Sequence, residues 1–398
     1  MKNLGMAMAL CILGSSALFA DGAVKLTLWS YQEGDSPKVL QQLIGEFNGS
    51  QNKVQVAYEY VPFANFKQKL TVSVMANQLA DIVIIDNPDN AAYAALGAFA
   101  DVSDLVAGWE GKDKFYPGPW KSTQFAGKQY GIPLDSNCLA LYYDKKALKD
   151  AGVKVPTTWD ELRAAAKKLS NGKRFGLAIS APKNEEGTFQ YIPWILSTGA
   201  DVTKVNTADA VKALSFLRQL IVDKSMSTEV INWTQGDVQK QFSAGKAAMM
   251  VNGPWNIGSI KRDSPDLDWG VALIPRDKQF SSVLGGENMA ITKTANRDAA
   301  WSFVKWITSR EIENRYNALT GTFPSRSDAI AVNDVWTKDP ALASFLEEMK
   351  YAMPRGPHPR WPEISNALSE ALQKGLIGMS TPQVAMEEAQ AKIEKVLK

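Results

Sequence analysis

Aromatic and polar side chains occur together wherever a strand is expected to end. They are Trp29, Tyr31 and Glu33 after the first expected strand, Asp86 and Asn87 after the third, Asp135 and Asn137 before the pattern restarts, Tyr191 and Trp194 where a helix is expected to begin, and Trp255 after a later strand. In an open α/β sheet, ligands bind beyond the carboxyl ends of the strands, so these side chains should share one crevice. Flat indole and phenol rings can pack against the apolar C–H faces of a pyranose, while carboxylates and amides bond to its hydroxyl groups. The pattern favours binding of a sugar.

Most catalytic and metal-binding motifs are missing from the sequence. The single histidine, His358, excludes sites that need two imidazoles. The four Gly-Lys pairs lack the rest of a phosphate-binding loop, and there is no Gly-x-Ser-x-Gly elbow. Residues 86–90 superficially resemble a calcium loop, but proline takes the third ligand position and the final glutamate is absent. We therefore expect no metal and no cofactor, and the enzyme class that stays open is a hydrolase with two carboxylates.

Length and composition indicate a soluble globular protein with two lobes. The chain has 398 residues, of which 45% are hydrophobic and 22% are charged. That length is about two to three times that of a typical single domain. Lysine and arginine number 44 against 42 acidic residues, and they form no basic block. Nucleic acid is not an expected partner, because neutralising a phosphate backbone requires clustered positive charge.

The first 20 residues have the features of a secretory signal peptide. Lys2 precedes an apolar run from Ala7 to Ala20, which polar Asp21 follows. The run is shorter than the roughly 20 apolar residues of a membrane span, and we expect cleavage near Ala20. Loss of Cys11 with the signal leaves Cys138 as the single cysteine, so no internal disulfide is expected. These features predict an exported, periplasmic protein that does not span a membrane.

Strands alternate with helices along the chain, which predicts doubly wound α/β lobes. Residues 24–29 alternate between apolar and polar, whereas 82–85 form the continuous apolar run of a central parallel strand. After Pro133 the pattern restarts with a strand at 139–143 and a helix that opens on the capping box Thr158–Glu161. Further expected elements are helices at 36–47, 65–75, 207–223, 299–310 and 381–397, and strands at 54–58, 175–179, 247–251, 269–274 and 289–292. A second α/β lobe follows from the restart.

A series of short segments carries a family resemblance. The segments are Leu-Ala-Asp-Ile-Val at 79–83, Gly-Ile-Pro at 131–133, Leu-Tyr-Tyr-Asp at 141–144, Val-Pro-Thr-Thr-Trp-Asp-Glu-Leu at 155–162, Gly-Lys-Ala-Ala-Met at 245–249, Asn-Gly-Pro-Trp at 252–255, Gly-Gly at 285–286, Ala-Ala-Trp-Ser-Phe-Val-Lys-Trp at 299–306 and Gly-Thr-Phe-Pro-Ser-Arg at 321–326. In this order they resemble the bacterial extracellular solute-binding proteins of ABC importers, the group that includes the maltodextrin-binding protein. The resemblance covers essentially all of the mature chain.

The resemblance implies two lobes that are joined by hinge crossings and close on a ligand. The implied N-terminal lobe comprises residues 21–135 and 286–327, and the C-terminal lobe comprises residues 136–285 and 328–398. The crossings would fall near 135–137, near 285–288 and shortly after Arg326.

The resemblance also assigns roles to particular residues. Trp255 and Trp361 match family tryptophans at the sugar site, and Tyr191 falls near a family tyrosine there. Gly286 would let backbone amides approach the ligand closely. The full set of candidate ligand-binding residues is Trp29, Tyr31, Glu33, Asp86, Asn87, Asp135, Asn137, Tyr191, Trp194, Trp233, Trp255, Gly286, Glu287, Asn288, Arg326, Arg360 and Trp361. The chain departs from the maltodextrin pattern at 86–87 and at Pro362, so maltodextrin itself is not the expected ligand.

These observations together predict a non-enzymatic, monomeric carbohydrate-binding protein that delivers its ligand to the permease subunits of an ABC transporter. One alternative is a polyol or glycerol-phosphate ligand, since Arg326 and Arg360 could clamp a phosphate. A second is a secreted glycosidase with a carboxylate pair, and a third is a lectin or adhesin without a hinge. Trp301 and Trp306 lie within an expected helix and are interpreted as core packing.

Overall fold

The computed structural model describes residues 22–355 and 358–398. The predicted signal peptide, residues 1–20, lies outside the described residues. None of the helices in the described part of the chain is long and apolar enough to cross a membrane.

Strands and helices alternate through most of the described chain. The strands are β1 (Val24–Ser30), β2 (Val54–Tyr60), β3 (Ile82–Asp86), β4 (Gln124–Phe125), β5 (Lys128–Gln129), β6 (Ile132–Pro133), β7 (Ala140–Asp144), β8 (Phe175–Ala178), β9 (Ala247–Asn252), β10 (Trp269–Ala272), β11 (Ser282–Leu284), β12 (Glu287–Ile291) and β13 (Ala352–Pro354). The α-helices are α1 (Ser36–Ser50), α2 (Phe63–Ala76), α3 (Asn90–Ala95), α4 (Ser103–Ala107), α5 (Pro117–Ser122), α6 (Lys145–Asp150), α7 (Trp159–Leu169), α8 (Glu185–Ser197), α9 (Ala208–Val222), α10 (Gln235–Ser243), α11 (Ile257–Asp263), α12 (Arg297–Ile307), α13 (Arg310–Thr320), α14 (Val335–Lys338), α15 (Pro340–Glu348), α16 (Trp361–Ile377) and α17 (Pro382–Leu397).

The first lobe is built on a five-stranded sheet in the order β2-β1-β3-β12-β6. β1 is parallel to both β2 and β3, while β12 is antiparallel to β3 and β6. Every residue of β3 is buried, as expected for a continuous apolar strand covered on both faces. The carboxyl ends of β1, β2 and β3 and the amino end of β12 meet at one edge of this sheet. Glu287 pairs there with Asp86.

The second lobe is built on a four-stranded sheet in the order β10-β7-β9-β8. β8 and β9 are parallel, and β7 is antiparallel to β9 and β10. All six residues of β9 are buried. Since Ala140 pairs with Asn252, the amino end of β7 and the carboxyl end of β9 meet at one edge, which turns toward the first lobe. The doubly wound, two-lobed fold predicted from the sequence is confirmed.

Helix packing encloses a core in each lobe. In the second lobe, α16 packs against α8, α9 and α17, and residues from all four helices belong to one buried cluster. In the first lobe, α1, α12 and α13 cover one face of the sheet. The predicted capping box of α7 is present, because the Thr158 hydroxyl accepts from the Glu161 amide and the Glu161 carboxylate accepts from the Thr158 amide. Trp301 and Trp306 pack against the first-lobe core, as predicted.

Several segments cross between the two lobes next to one another and are joined by hydrogen bonds. Asn137 and Gly285 exchange two backbone hydrogen bonds of 2.9 and 3.1 Å, and Ser136 pairs with Phe323. Gly286 has φ of +138°, and a Cβ there would lie 2.3 Å from the carbonyl oxygen of Asp135, so only glycine fits. A third connection leaves Ser327, which bonds to Lys114 of the first lobe, and leads toward α14 on the second. These contacts lie where the hinge crossings are expected.

Two expectations about local structure are wrong. Tyr191 does not open a helix: α8 begins at Glu185, because Asn184 caps it by accepting from the amides of Glu186 and Gly187. The second expectation concerns Trp361, whose proline neighbours in the sequence argue against any regular element there. It is instead the first residue of α16, and Pro362 occupies the first turn, where proline is tolerated.

Candidate functional site

A cavity of about 210 Å³ lies between the facing edges of the two sheets. Its walls come from the strand ends and loops of both lobes. The lining residues are Tyr31, Gln32, Glu33, Ser36, Pro62, Phe63, Ala64, Asp86, Asn137, Asn184, Glu186, Phe189, Thr234, Gln235, Trp255, Gly286, Glu287, Thr322 and Arg355. The cavity is therefore the crevice that the strand-end pattern predicts.

The first-lobe wall is aromatic where β1 and β2 end. Tyr31 follows β1, and its ring contacts those of Phe63 and Phe66 edge-on, with centroids 5.0 Å apart in both cases. The Tyr31 hydroxyl donates to Oε1 of Glu287 at 3.2 Å. This bond fixes the phenol ring at the base of the wall and joins β1 to the amino end of β12.

The second-lobe wall carries Trp255 and Phe189. Trp255 follows β9 on the Gly-Pro turn, and its ring centroid lies 6.4 Å from that of Phe189 on α8. A Cβ at Gly253 would lie 2.0 Å from the indole of Trp255, so the ring can occupy this position only because residue 253 has no side chain. Trp255 stays partly exposed, which leaves an indole surface free for a ligand.

An ion-pair network joins the lobes at one end of the cavity. Arg355, which follows β13, donates from both terminal nitrogens to the carboxylate of Asp86 at 2.5 and 2.7 Å. It also donates to Glu185 at 2.7 Å and to the side-chain oxygen of Asn87 at 3.3 Å. The guanidinium lies over the ring of Phe189, 4.4 Å from its centroid. Asp86 belongs to the first lobe and Arg355 to the second, so this bidentate pair bridges the two lobes.

The network extends behind the cavity wall. Lys67 of α2 pairs with Asp89 at 2.6 Å and lies 4.0 Å from Glu185 of the second lobe. Against the opposing effect of burial, the charges of Asp89 and Glu185 raise the pKa of Lys67. Oε2 of Glu185, the oxygen nearest Lys67, accepts from the indole nitrogen of Trp361 at 3.0 Å, whereas Oε1 accepts from Arg355. Glu185 therefore binds cationic and neutral donors from three directions.

A carboxyl pair lies at the hinge. Burial raises the pKa of Asp135 to about 6, and burial together with the charge of Asp135 raises the pKa of Glu287 well above its ordinary value. The two side chains hydrogen-bond to each other, so the Glu287 carboxyl donates its proton to Asp135. Asp135 also accepts from Gln32 at 3.1 Å. Two such buried carboxyls cannot both ionise cheaply, and they share a proton.

Two further carboxylates face the cavity from opposite lobes. Glu33 follows β1, and Glu186 lies in the first turn of α8. Glu186 accepts from the backbone amide of Gln235. A Cβ at Gly236 would lie 3.1 Å from Oε2 of Glu33, so both carboxylates converge on the start of α10. Burial raises the pKa of Glu186 to about 7, and the charges of Glu33 and Asp237 add to this effect.

The structure brings part of the predicted set together. The candidates that line the cavity are Tyr31, Glu33, Asp86, Asn137, Trp255, Gly286 and Glu287. Asn87 and Asp135 lie directly behind the wall, bonded to Arg355 and Gln32. The strand-end argument holds for these residues because each follows or begins a strand at the facing edge of its sheet.

Three aromatic candidates lie in the second-lobe core instead. Tyr191, Trp194 and Trp361 are each at most 1% exposed and belong to the cluster around α8 and α16. The Tyr191 hydroxyl contacts the sulfur of Met386, and Trp194 packs against Trp159. The expectation that these rings line the cavity is corrected: helical periodicity turns Tyr191 and Trp194 inward from α8, and Trp361 is sealed beneath Glu185.

Five other candidates also lie away from the cavity. Trp29 donates to Glu59 at 2.7 Å, with the ammonium of Lys69 over its ring. Asn288 is buried against Ser122. Trp233 packs against the second-lobe clusters. Arg326 pairs with Asp328, and Arg360 pairs with Glu363 on the surface. None of Trp29, Trp233, Asn288, Arg326 and Arg360 is in the cavity wall, so these placements are corrections too.

Sequence reasoning missed several residues of the wall. The clearest are Phe63, Phe189 and Arg355, together with the polar residues Gln32, Ser36, Asn184, Glu186, Thr234, Gln235 and Thr322. Asn184 and Thr234 carry a signal that can be read from the sequence, since each is a helix N-cap with an acidic residue in the first turn that follows. Arg355 offers no local signal, because its partners Asp86 and Glu185 are far away in sequence. Within residues 22–355 and 358–398, no cluster of His, Cys, Asp or Glu is arranged to hold a metal ion.

Comparisons with known proteins agree with this arrangement. A sequence model of the family described as bacterial extracellular solute-binding proteins matches residues 42–344. The maltotriose-binding protein of Pyrococcus abyssi is 27% identical over 374 residues, which cover 88% of this chain and 78% of that protein. The solute-binding protein of an ABC transporter from Thermotoga lettingae TMO, bound with α-D-tagatose, is 25% identical, with a TM-score of 0.85 over 94% of this chain and 100% of that one. A similar protein from Agrobacterium radiobacter K84, in complex with ribitol, is 28% identical, with a TM-score of 0.82 over 94% of this chain and 99% of that one.

Proposed function

This chain belongs to the bacterial extracellular solute-binding proteins, and we propose that it captures a carbohydrate between its lobes and delivers it to the permease of an ABC transporter. The observation that carries the proposal is the composition of the interlobe cavity. Aromatic rings stand on both walls, and carboxylate and amide groups surround them. Rings match the C–H faces of a sugar and polar groups match its hydroxyls. Maltotriose and tagatose, which two similar proteins are named as binding, have this chemistry.

Closure of the lobes is the proposed mechanism. A ligand that contacts Tyr31 and Phe63 on one side and Trp255 on the other makes all of its contacts only in the closed form. It therefore shifts the population toward that form. The predicted boundaries, 21–135 with 286–327 and 136–285 with 328–398, define the two bodies that move about Gly286.

The ligand contacts, the monomeric state and the export of the protein are proposed from its family membership and its sequence. We propose that the cavity residues of the predicted set contact the ligand and that the protein acts as a monomer without covalent chemistry. Export to the periplasm with cleavage near Ala20 completes the proposal, and membrane permease subunits are the protein partners.

A polyol is a second candidate ligand. Ribitol occupies the similar protein from Agrobacterium radiobacter K84, and a polyol offers the same hydroxyl donors as a sugar. The phosphate-bearing form of this alternative is disfavoured. Arg326 and Arg360, which were to clamp the phosphate, bond to Asp328 and Glu363 away from the cavity.

A thermal-shift screen of the mature protein against sugars and polyols tests the proposal. A ligand that binds only the folded protein raises the unfolding temperature, and the shift grows with the logarithm of its concentration once that exceeds Kd. The expected result is a shift with a sugar or polyol, compaction in small-angle scattering and recovery of the ligand intact. A cleaved product would identify a glycosidase, and binding without compaction would identify a lectin. No shift with any hydroxylated ligand would refute the proposal.

A further inference from the structure

The charged groups of the cavity are unbalanced toward negative charge. The acidic residues in its wall are Glu33, Asp86, Glu186 and Glu287, of which Glu287 holds the proton that it shares with Asp135. Arg355 is the one cation among the described lining residues. Arg355 cannot balance the others, because it is already bonded to Asp86 and to Glu185 behind the wall. An anionic ligand would therefore meet net repulsion in this cavity.

The excess of acidic over basic groups is greatest where Glu33 and Glu186 approach each other. They come from different lobes and converge on residues 235–236 at the start of α10. No lysine or arginine of the described residues lies within ion-pairing distance of either carboxylate. Glu33 instead accepts from the hydroxyl of Tyr60, and Lys240, whose charge acts on Glu33, is exposed and bonded to Asp237. At a pH where both are ionised, bringing the lobes together thus opposes two like charges, neither of which has an ion-pair partner among the described residues.

We infer that the ligand carries a basic amine that sits between Glu33 and Glu186, which makes an amino sugar or another aminated carbohydrate the preferred class. This inference rests on the proposed function and narrows it. A neutral hydroxyl can donate to one of these carboxylates, but it leaves their mutual repulsion in place. An ammonium group provides up to three donors and neutralises the repulsion.

The effect should be moderate, because Glu33 is solvent-exposed while Glu186 is mostly covered. We expect at least one aminated sugar to bind about ten-fold or more tightly than its neutral counterpart, equivalent to about 1.4 kcal/mol. The groups that face Glu186 are Glu33 and Asp237, and Tyr60 and Lys240 act on Glu33. Ionisation of Glu186 should strengthen binding of an amine as pH rises from 5 to 7, a range in which the amine of an amino sugar is still mostly protonated.

Paired probes test the inference by calorimetry. Suitable pairs are glucosamine with N-acetylglucosamine, chitobiose with N,N′-diacetylchitobiose, and galactosamine with galactose, since each pair differs chiefly in the charged amine. The expected result is tighter binding of the amine in at least one pair, with a preference that falls about ten-fold in Glu33→Gln or Glu186→Gln. Glu387→Gln, an exposed carboxylate on α17, is the matched control and should keep the preference.

The outcomes separate this inference from the proposed function. Binding of neutral sugars, with amines equal or weaker in every pair, overturns the inference and leaves carbohydrate capture intact. Retention of the amine preference in both Gln variants also overturns it. Absence of binding by any sugar, aminated or neutral, refutes the proposed function and the inference with it.

Discussion

The interlobe pair of Asp86 and Arg355 predicts a specific loss of affinity when its charge is removed. Asp86→Asn keeps one oxygen acceptor for the guanidinium but removes the carboxylate that accepts at 2.5 and 2.7 Å. A hydrogen bond to a charged group contributes about 1.5–3 kcal/mol. Since the pair spans the lobes, its removal destabilises the closed state. The apparent Kd equals the intrinsic Kd divided by the fraction of molecules in the form that can bind, so it rises as that fraction falls. We expect a Kd that is roughly 10- to 150-fold weaker.

The assay combines calorimetry and small-angle scattering, using the best ligand from the thermal-shift screen. The variant should need correspondingly more ligand to reach the compact form. We expect its unliganded unfolding temperature to change little, because the proposed mechanism forms the pair only on closure. Arg315→Gln is the matched control. Arg315 makes an equally bidentate pair with Glu46, at 2.8 and 2.9 Å, but both residues lie in the first lobe and are exposed. Exposed pairs contribute about 0–1 kcal/mol, and this one does not change on closure.

Two results would refute the reasoning. One is an unchanged Kd for Asp86→Asn, which would mean that the bidentate pair contributes nothing to closure. The other is an equal loss for Arg315→Gln, which would mean that the effect comes from stability of the first lobe and not from the contact between lobes.

Three further predictions concern the cavity and the cores. Trp255→Ala should weaken sugar binding by about 1–3 kcal/mol in calorimetry, by analogy with aromatic stacking on flat ligand faces; unchanged affinity would remove the indole from the site. Trp194→Ala should lower the free energy of unfolding by about 3–5 kcal/mol in denaturant titration, yet leave affinity unchanged in the folded protein, because its ring is fully buried. Glu287→Gln should flatten the dependence of stability on pH. Because both pKa values are raised in the folded protein, the protonated carboxyls stabilise the fold at low pH. This contribution is lost as pH rises through the folded-state pKa values, about 6 for Asp135. If the unfolding temperature of Glu287→Gln fell between pH 5 and 8 as steeply as that of the wild-type protein, the proton shared by Asp135 and Glu287 would not be the cause.

The fold was predictable because its signals are local. The continuous apolar run of β3 and the capping box of α7 specify their elements within a few residues. The alternation of such elements then limits the architecture to α/β lobes. The residues at strand ends, such as Tyr31, Asp86 and Trp255, could be assigned to the crevice for the same reason, since a strand end determines the edge of the sheet.

The remaining wall residues depend on contacts that sequence spacing does not encode. Whether an aromatic residue on a helix faces the cavity or the core depends on which side of the helix meets the sheet. Phe189 and Tyr191 are two positions apart on α8, yet the first lines the cavity and the second is sealed against α17. Arg355 reaches the site only because α15 and β13 carry it to the end of the cavity, where its partners are 170 and 269 residues away in sequence.

The antiparallel strand β12, inserted between β3 and β6, also determines when the first lobe can assemble. Its five residues pair with the whole of β3, so the central strand of that sheet lacks one neighbour until residue 291 of 398 has been synthesised. Such long-range pairing makes folding slow, because the intervening chain must first be gathered together. The first lobe thus stays incomplete until most of the chain has been synthesised, a property that would suit the proposed export.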